Sequence, residues 1–99
     1  MMSCSSAPAI AETPLTAGII LEKMSAEQRS AYIAGVVEGL AYARFQRDGK
    51  QEDGLKCIYD WFYEEGGDTA RTIYAAFERY PNYPVGVIVW TLMKKKCGE

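Results

Sequence analysis

The sequence predicts an all-α fold, a single small domain of four to five helices, and three observations carry that prediction. Apolar residues recur at spacings of three and four along most of the chain, which gathers them on one face of a 3.6-residue helix. Capping residues, prolines and a glycine pair stand where such helices would start and stop. The one β-branched run, Val85 to Val89, has no second segment to pair with as a strand.

Taken in order, residues 1–11 form a small, polar segment and residues 12–99 the helical domain. Ala9-Ile10-Ala11 has the small-x-small pattern of a signal-peptidase site. It reads either as the end of a longer export signal or as a disordered cytosolic tail. Thr13 caps a first helix with Pro14 in its opening turn. Leu15, Ile19 and Leu21 to Met24 give that helix a short apolar face, which Gly18 weakens. Ser25-Ala26-Glu27-Gln28 is a capping box, in which the serine and glutamine side chains each satisfy the other's backbone amide. The longest helix follows, Ala26 to Arg47, with Tyr32, Ile33, Val36, Val37, Leu40, Ala41, Arg44 and Phe45 on a broad stripe. Gly35 and Gly39 cost helix propensity there, which predicts that another helix approaches closely at that face.

Asp48 to Gly54 reads as a solvated connection. Leu55, Ile58, Tyr59 and Phe62 then keep helical spacing until Gly66-Gly67 stops the segment. Asp68 is placed to cap the next helix, whose face is Ala70, Ile73, Phe77 and Tyr80. Pro81 pushes Tyr80 out of helical geometry and ends it, and Pro84 restarts the chain as a first-turn residue. The final segment reads as a helix with Val85, Ile88, Val89 and Leu92 on one stripe. Lys94, Lys95 and Lys96 complement its negative end.

Cys57 and Cys97 bracket the last helical pair, which reads as a hairpin closed by a disulfide. The competing reading is two free thiols packed as small hydrophobes. Pairing would restrict the unfolded chain by roughly 4 kcal/mol. Cleavage after Ala11 would remove Cys4 and leave this even pair, as suits an oxidising compartment. Neither cysteine has another cysteine or a histidine at ligand spacing, so no metal is expected.

Thirteen acidic against eleven basic side chains leave a net charge of −2, without the basic excess that nucleic-acid binding uses. The chain has no histidine, which removes Ser-His and Cys-His nucleophile activation and the usual near-neutral proton shuttle. Neither an enzyme nor a cofactor is expected. No apolar run approaches the length that crosses a bilayer. Two clusters are candidates for protein binding. Trp61, Tyr63, Glu64 and Glu65 put aromatic anchors beside an acidic rim suited to a basic partner. Tyr80, Asn82 and Tyr83 sit at a hairpin tip stiffened by prolines. For both, core packing is the competing reading. Asp60, Glu64, Glu65 and Asp68 as paired catalytic carboxylates compete with a solvated helix face. Arg44, Arg47 and Lys94 to Lys96 read as helix-end charge.

Two stretches resemble a known family: Tyr32-Ile33-Ala34-Gly35-Val36-Val37-Glu38-Gly39-Leu40, and the frame Cys57, Phe77, Pro81, Val89 to Leu92, Cys97. Together, over residues 26–97, they are similar to the Rap/Tai-type immunity proteins. The resemblance implies a periplasmic, all-helical protein that binds and blocks a cell-wall amidase injected by type VI secretion, often as a homodimer. Two other functions are compatible with the same residues: a small periplasmic structural or chaperone-like protein, and a cytosolic helical adaptor with reduced thiols.

Overall fold

A computed structural model of the chain describes residues 15–99; the expectations for the 1–11 segment and for the Thr13 cap lie outside the described residues. The elements are α1 (Ala17–Lys23), α2 (Ala26–Arg47), α3 (Asp53–Tyr59), a π-helical turn (Asp60–Glu64), α4 (Gly66–Arg79) and α5 (Val85–Cys97). Among the described residues there is no β-strand, and one isolated bridge joins Thr16 to Pro84.

Thr16 caps α1, its hydroxyl accepting the Ile19 amide at 3.4 Å. Ala17 and Ile20 are the residues α1 buries, one turn of the helical period apart. The far end of α1 is closed by Arg29, whose Nη1 donates to the Met24 carbonyl at 2.7 Å. Its guanidinium also lies 5.8 Å from the Tyr74 ring centre. The capping box forms with both bonds, Gln28 amide to Ser25 Oγ at 3.2 Å and Ser25 amide to Gln28 Oε1 at 2.9 Å, and α2 spans the residues the sequence predicts. It buries Ile33, Val37 and Ala41.

Gly35 and Gly39 correct the expectation of a close helix contact. They are exposed, and a Cβ built on either meets nothing within 4 Å. Each lies two residues beyond a buried one, roughly 200° around the helix from the core-facing line. The glycine at which packing is tightest is Gly54, a buried residue of α3 whose Cβ would stand 2.5 Å from Arg44 Nε.

Segment 53–64 also differs from the wheel drawn on the sequence. The buried residues are Gly54, Ile58 and Trp61, with Leu55, Tyr59 and Phe62 only partly covered. Gly54 adds nothing to an apolar count although it marks the innermost face, so the apparent stripe was rotated toward Leu55 and Tyr59. Trp61 is thereby corrected as a surface anchor: it is 5% exposed and belongs to the core. The helix does not simply stop at Gly66 either. The Glu65 amide reaches the Asp60 carbonyl at 3.1 Å, an i to i+5 closure that makes the π turn. Gly66, at φ +28°, leads directly into α4.

Because α4 starts at Gly66, Asp68 is in its first turn rather than at its cap, and its carboxylate pairs with Arg71. The buried line of α4 is Thr69, Ile73 and Phe77. Ala70 and Tyr80, both assigned to the core face, are exposed. Thr69 is covered because its hydroxyl donates to the Trp61 carbonyl at 2.5 Å, which satisfies a backbone acceptor inside the core.

The β-branched run is helical in α5, where Val85, Ile88, Val89 and Met93 are buried. Pro84 is the residue before the first turn, and its carbonyl accepts from Val87 and Ile88. Cys57 and Cys97 are bonded, with Cα atoms 5.8 Å apart, so α3 is tied to the end of α5 and the free-thiol reading falls. Phe77, Ile20, Ile58, Ile73, Val37, Val85 and Val89 are the largest fully buried side chains. Every helix supplies at least one of them.

Candidate functional site

The hairpin between α4 and α5 is built so that its tip cannot sag. At a helix start the first backbone amides have no partner within the helix. Here the Ala17 amide of α1 donates to the Tyr83 carbonyl at 2.9 Å and the Gly18 amide to the Pro81 carbonyl at 2.8 Å. The Val85 amide returns a bond to the Leu15 carbonyl at 3.1 Å. Gly18, which weakens α1 as a helix, is what permits this: a Cβ there would lie 3.1 Å from the Pro81 oxygen and 3.2 Å from the Pro81 Cβ.

On this clamped tip, Tyr80 is 46% exposed and Tyr83 53% exposed. Their ring centres are 5.7 Å apart in an edge arrangement, a favourable geometry for aromatic pairs. The Arg79 guanidinium lies 5.8 Å from the Tyr80 ring. Beside the two rings runs a groove of about 240 Å³ lined mostly by apolar atoms, with Ala76, Val87, Ile88 and Leu92 on its floor and walls. Val87 is itself half-exposed, and Asn82 is exposed at the turn.

The other sequence-predicted cluster does not assemble as expected. Trp61 is in the core, Glu64 is exposed, and Glu65 pairs with Lys96 at 3.2 Å. Tyr63 instead donates to Glu38 on α2, at 2.6 Å to Oε2, while Tyr59 donates to Oε1 of the same carboxylate at 2.9 Å. The two phenol rings lie 5.8 Å apart. The bond from Tyr63, then that from Tyr59, holds the Glu38 carboxyl below its ordinary pKa. Both phenols are pushed up, chiefly because each donates to that carboxylate. Glu38 and Tyr59 were not singled out as binding residues from sequence. The available signal was that Tyr59 and Tyr63 are four apart and share a helix face.

The two clusters are also not one surface. The π turn precedes the start of α4 and the tip follows its end, so the 14 residues of α4 separate them by about 20 Å. Arg44, Lys94 and Lys96 make contacts within the fold. Arg44 closes the end of α5, with Nη1 donating to the Gly98 carbonyl at 3.0 Å, Nη2 to Cys97 at 3.5 Å and Nε to Asp48 at 2.8 Å. Lys94 sits 3.9 Å over the Trp90 ring. Among the described residues, no group of three metal-ligating side chains comes together. What the molecule displays is a rigid aromatic tip with an apolar groove, and a separate carboxylate held by two phenols. No family model, no curated protein and no solved structure matches the chain.

Proposed function

We propose that the protein is a non-enzymatic, immunity-type inhibitor that blocks a periplasmic cell-wall amidase by seating its hairpin tip in the enzyme's substrate groove. The observation that supports this best is the pair Tyr80 and Tyr83, exposed yet fixed by three backbone bonds from residues 15–18. Aromatic side chains dominate binding energy at interfaces. A tip ordered before contact loses little entropy on docking. The disulfide suits an oxidising compartment, and the resemblance of residues 26–97 to Rap/Tai-type proteins supplies the partner class and the homodimer.

The test is to mix the protein with a papain-like cell-wall amidase delivered by type VI secretion and follow peptidoglycan hydrolysis. A complex at micromolar concentration and loss of hydrolysis are expected. The double variant Tyr80→Ala/Tyr83→Ala should keep its melting temperature and weaken inhibition by about 100-fold, two aromatic truncations of over 1 kcal/mol each. Undiminished inhibition by that variant removes the tip from the mechanism. No complex with any such amidase, together with retention of several unrelated unfolded proteins at low pH, transfers the protein to the chaperone-like reading. Light scattering reads the homodimer.

A further inference from the structure

The Glu38 carboxylate lies on the surface, and among the described residues it has no counter-ion. Among the described residues no lysine or arginine lies within ion-pair distance of it, since the ion pairs are Arg44 with Asp48, Lys56 with Glu52, Arg71 with Asp68, Lys94 with Glu99 and Lys96 with Glu65. Its helical neighbours three and four residues away are Ala34, Gly35, Ala41 and Tyr42, none of them basic. Gly35, one turn before it, leaves open space where a side chain would stand.

We propose that Glu38, Tyr59 and Tyr63 form a docking site for an arginine side chain of a protein partner. Each carboxylate oxygen is held by one phenol and keeps lone-pair capacity for a second donor. A guanidinium is a planar fork of donors that fits two carboxylate oxygens at once. Tyr63 is half-exposed, so solvent and an incoming side chain reach the carboxylate beside its hydroxyl. The glutamate is already fixed by its two phenols, so an incoming arginine finds an ordered acceptor rather than a freely rotating one. Charge selects the occupant: an acidic or neutral side chain would meet an uncompensated carboxylate.

The inference is independent of the amidase assignment, and its test uses no amidase. Isotope-labelled protein is titrated with N-acetyl-arginine amide at constant ionic strength, with the uncharged isostere N-acetyl-citrulline amide in parallel, and resonances of the Tyr59 and Tyr63 rings and the Glu38 carboxylate are followed. Saturating shifts with arginine, several-fold larger than at the exposed carboxylates of Glu27 and Glu78 and several-fold larger than with citrulline, are expected. Glu38→Gln should abolish them while the rest of the amide spectrum is unchanged. Tyr63→Phe, which keeps the ring but frees one carboxylate oxygen, should weaken binding without removing it. Equal shifts with citrulline, shifts no larger than at Glu27 and Glu78, or an unaltered response in Glu38→Gln would each reduce the cluster to a tie between α2 and the π turn and overturn the proposal.

Discussion

Removing the Cys57–Cys97 bridge should be the most damaging single change at the surface of this domain. The two cysteines are 40 residues apart, and closing a loop of that length removes about 4 kcal/mol of unfolded-chain entropy at 25 °C. Both residues are only partly buried, so the serine hydroxyl adds little further desolvation cost. Against a stability of about 5–15 kcal/mol for a small domain, Cys57→Ser or Cys97→Ser should lower the melting temperature by about 15–30 °C, at about 4–8 °C per kcal/mol. Each substitution releases the same loop, so the double variant should be scarcely worse than either single one. The released chain is also more expanded when unfolded, which steepens the urea dependence. Thiol labelling of native and denatured protein, with thermal and urea melts of the three variants, measures all of this. Full labelling of Cys57 and Cys97 in protein exported to an oxidising compartment, or losses that add in the double variant, refutes the reasoning.

Three further outcomes follow from particular contacts. Gly35→Ala and Gly39→Ala should each stabilise by about 0.5–1 kcal/mol in thermal melts, because an alanine meets nothing there and glycine inside a helix is costly. Arg44→Met should lose about 1 kcal/mol and raise hydrogen exchange at the end of α5, since it removes the bonds to the Gly98 and Cys97 carbonyls and to Asp48, which water only partly replaces; Gly54→Ala, which collides with the same Arg44–Asp48 pair, should reproduce part of that loss. The Glu38 carboxyl is lowered in the fold, first by Tyr63 and then by Tyr59, so its contribution is present above the ordinary carboxylate pKa and is lost as pH falls through the lowered value. The two phenols are raised, so theirs is present below the ordinary phenol pKa and is lost as pH rises through the raised values; melts across pH should show both flanks in the native chain and neither in Glu38→Gln.

Much of the helical frame was legible because it is written in local chemistry. Ser25 and Gln28 are three residues apart and satisfy each other; Pro81 and Pro84 punctuate a turn wherever they fall. The pairing of Cys57 with Cys97 was legible as a bracket around the last helices, and it required in addition that α3 fold back beside the end of α5. The illegible parts depend on distant residues. Whether Gly35 or Gly54 takes the close contact is decided by which side of α2 the other helices occupy. Trp61 is drawn inward by the core, where its backbone carbonyl accepts the Thr69 hydroxyl. Glu38 meets Tyr63 across 25 positions of chain, a contact that no spacing within one helix announces.

The two displayed surfaces also have different mechanical support, and that difference follows from the size of the domain. A chain of 99 residues buries a limited share of its surface, so aromatic rings left outside must be held by something other than packing. At the end of α5 the hold is covalent, the Cys57–Cys97 bond to α3, with Arg44 on the adjoining carbonyls. At the tip it is three backbone bonds to residues 15–18. Hydrogen bonds at an exposed edge open locally at lower free energy than a cross-linked, packed base. The tip therefore presents Tyr80 and Tyr83 in one arrangement held by hydrogen bonds, without a covalent tie of its own. The Cys57–Cys97 bond keeps α3 and the end of α5 in register.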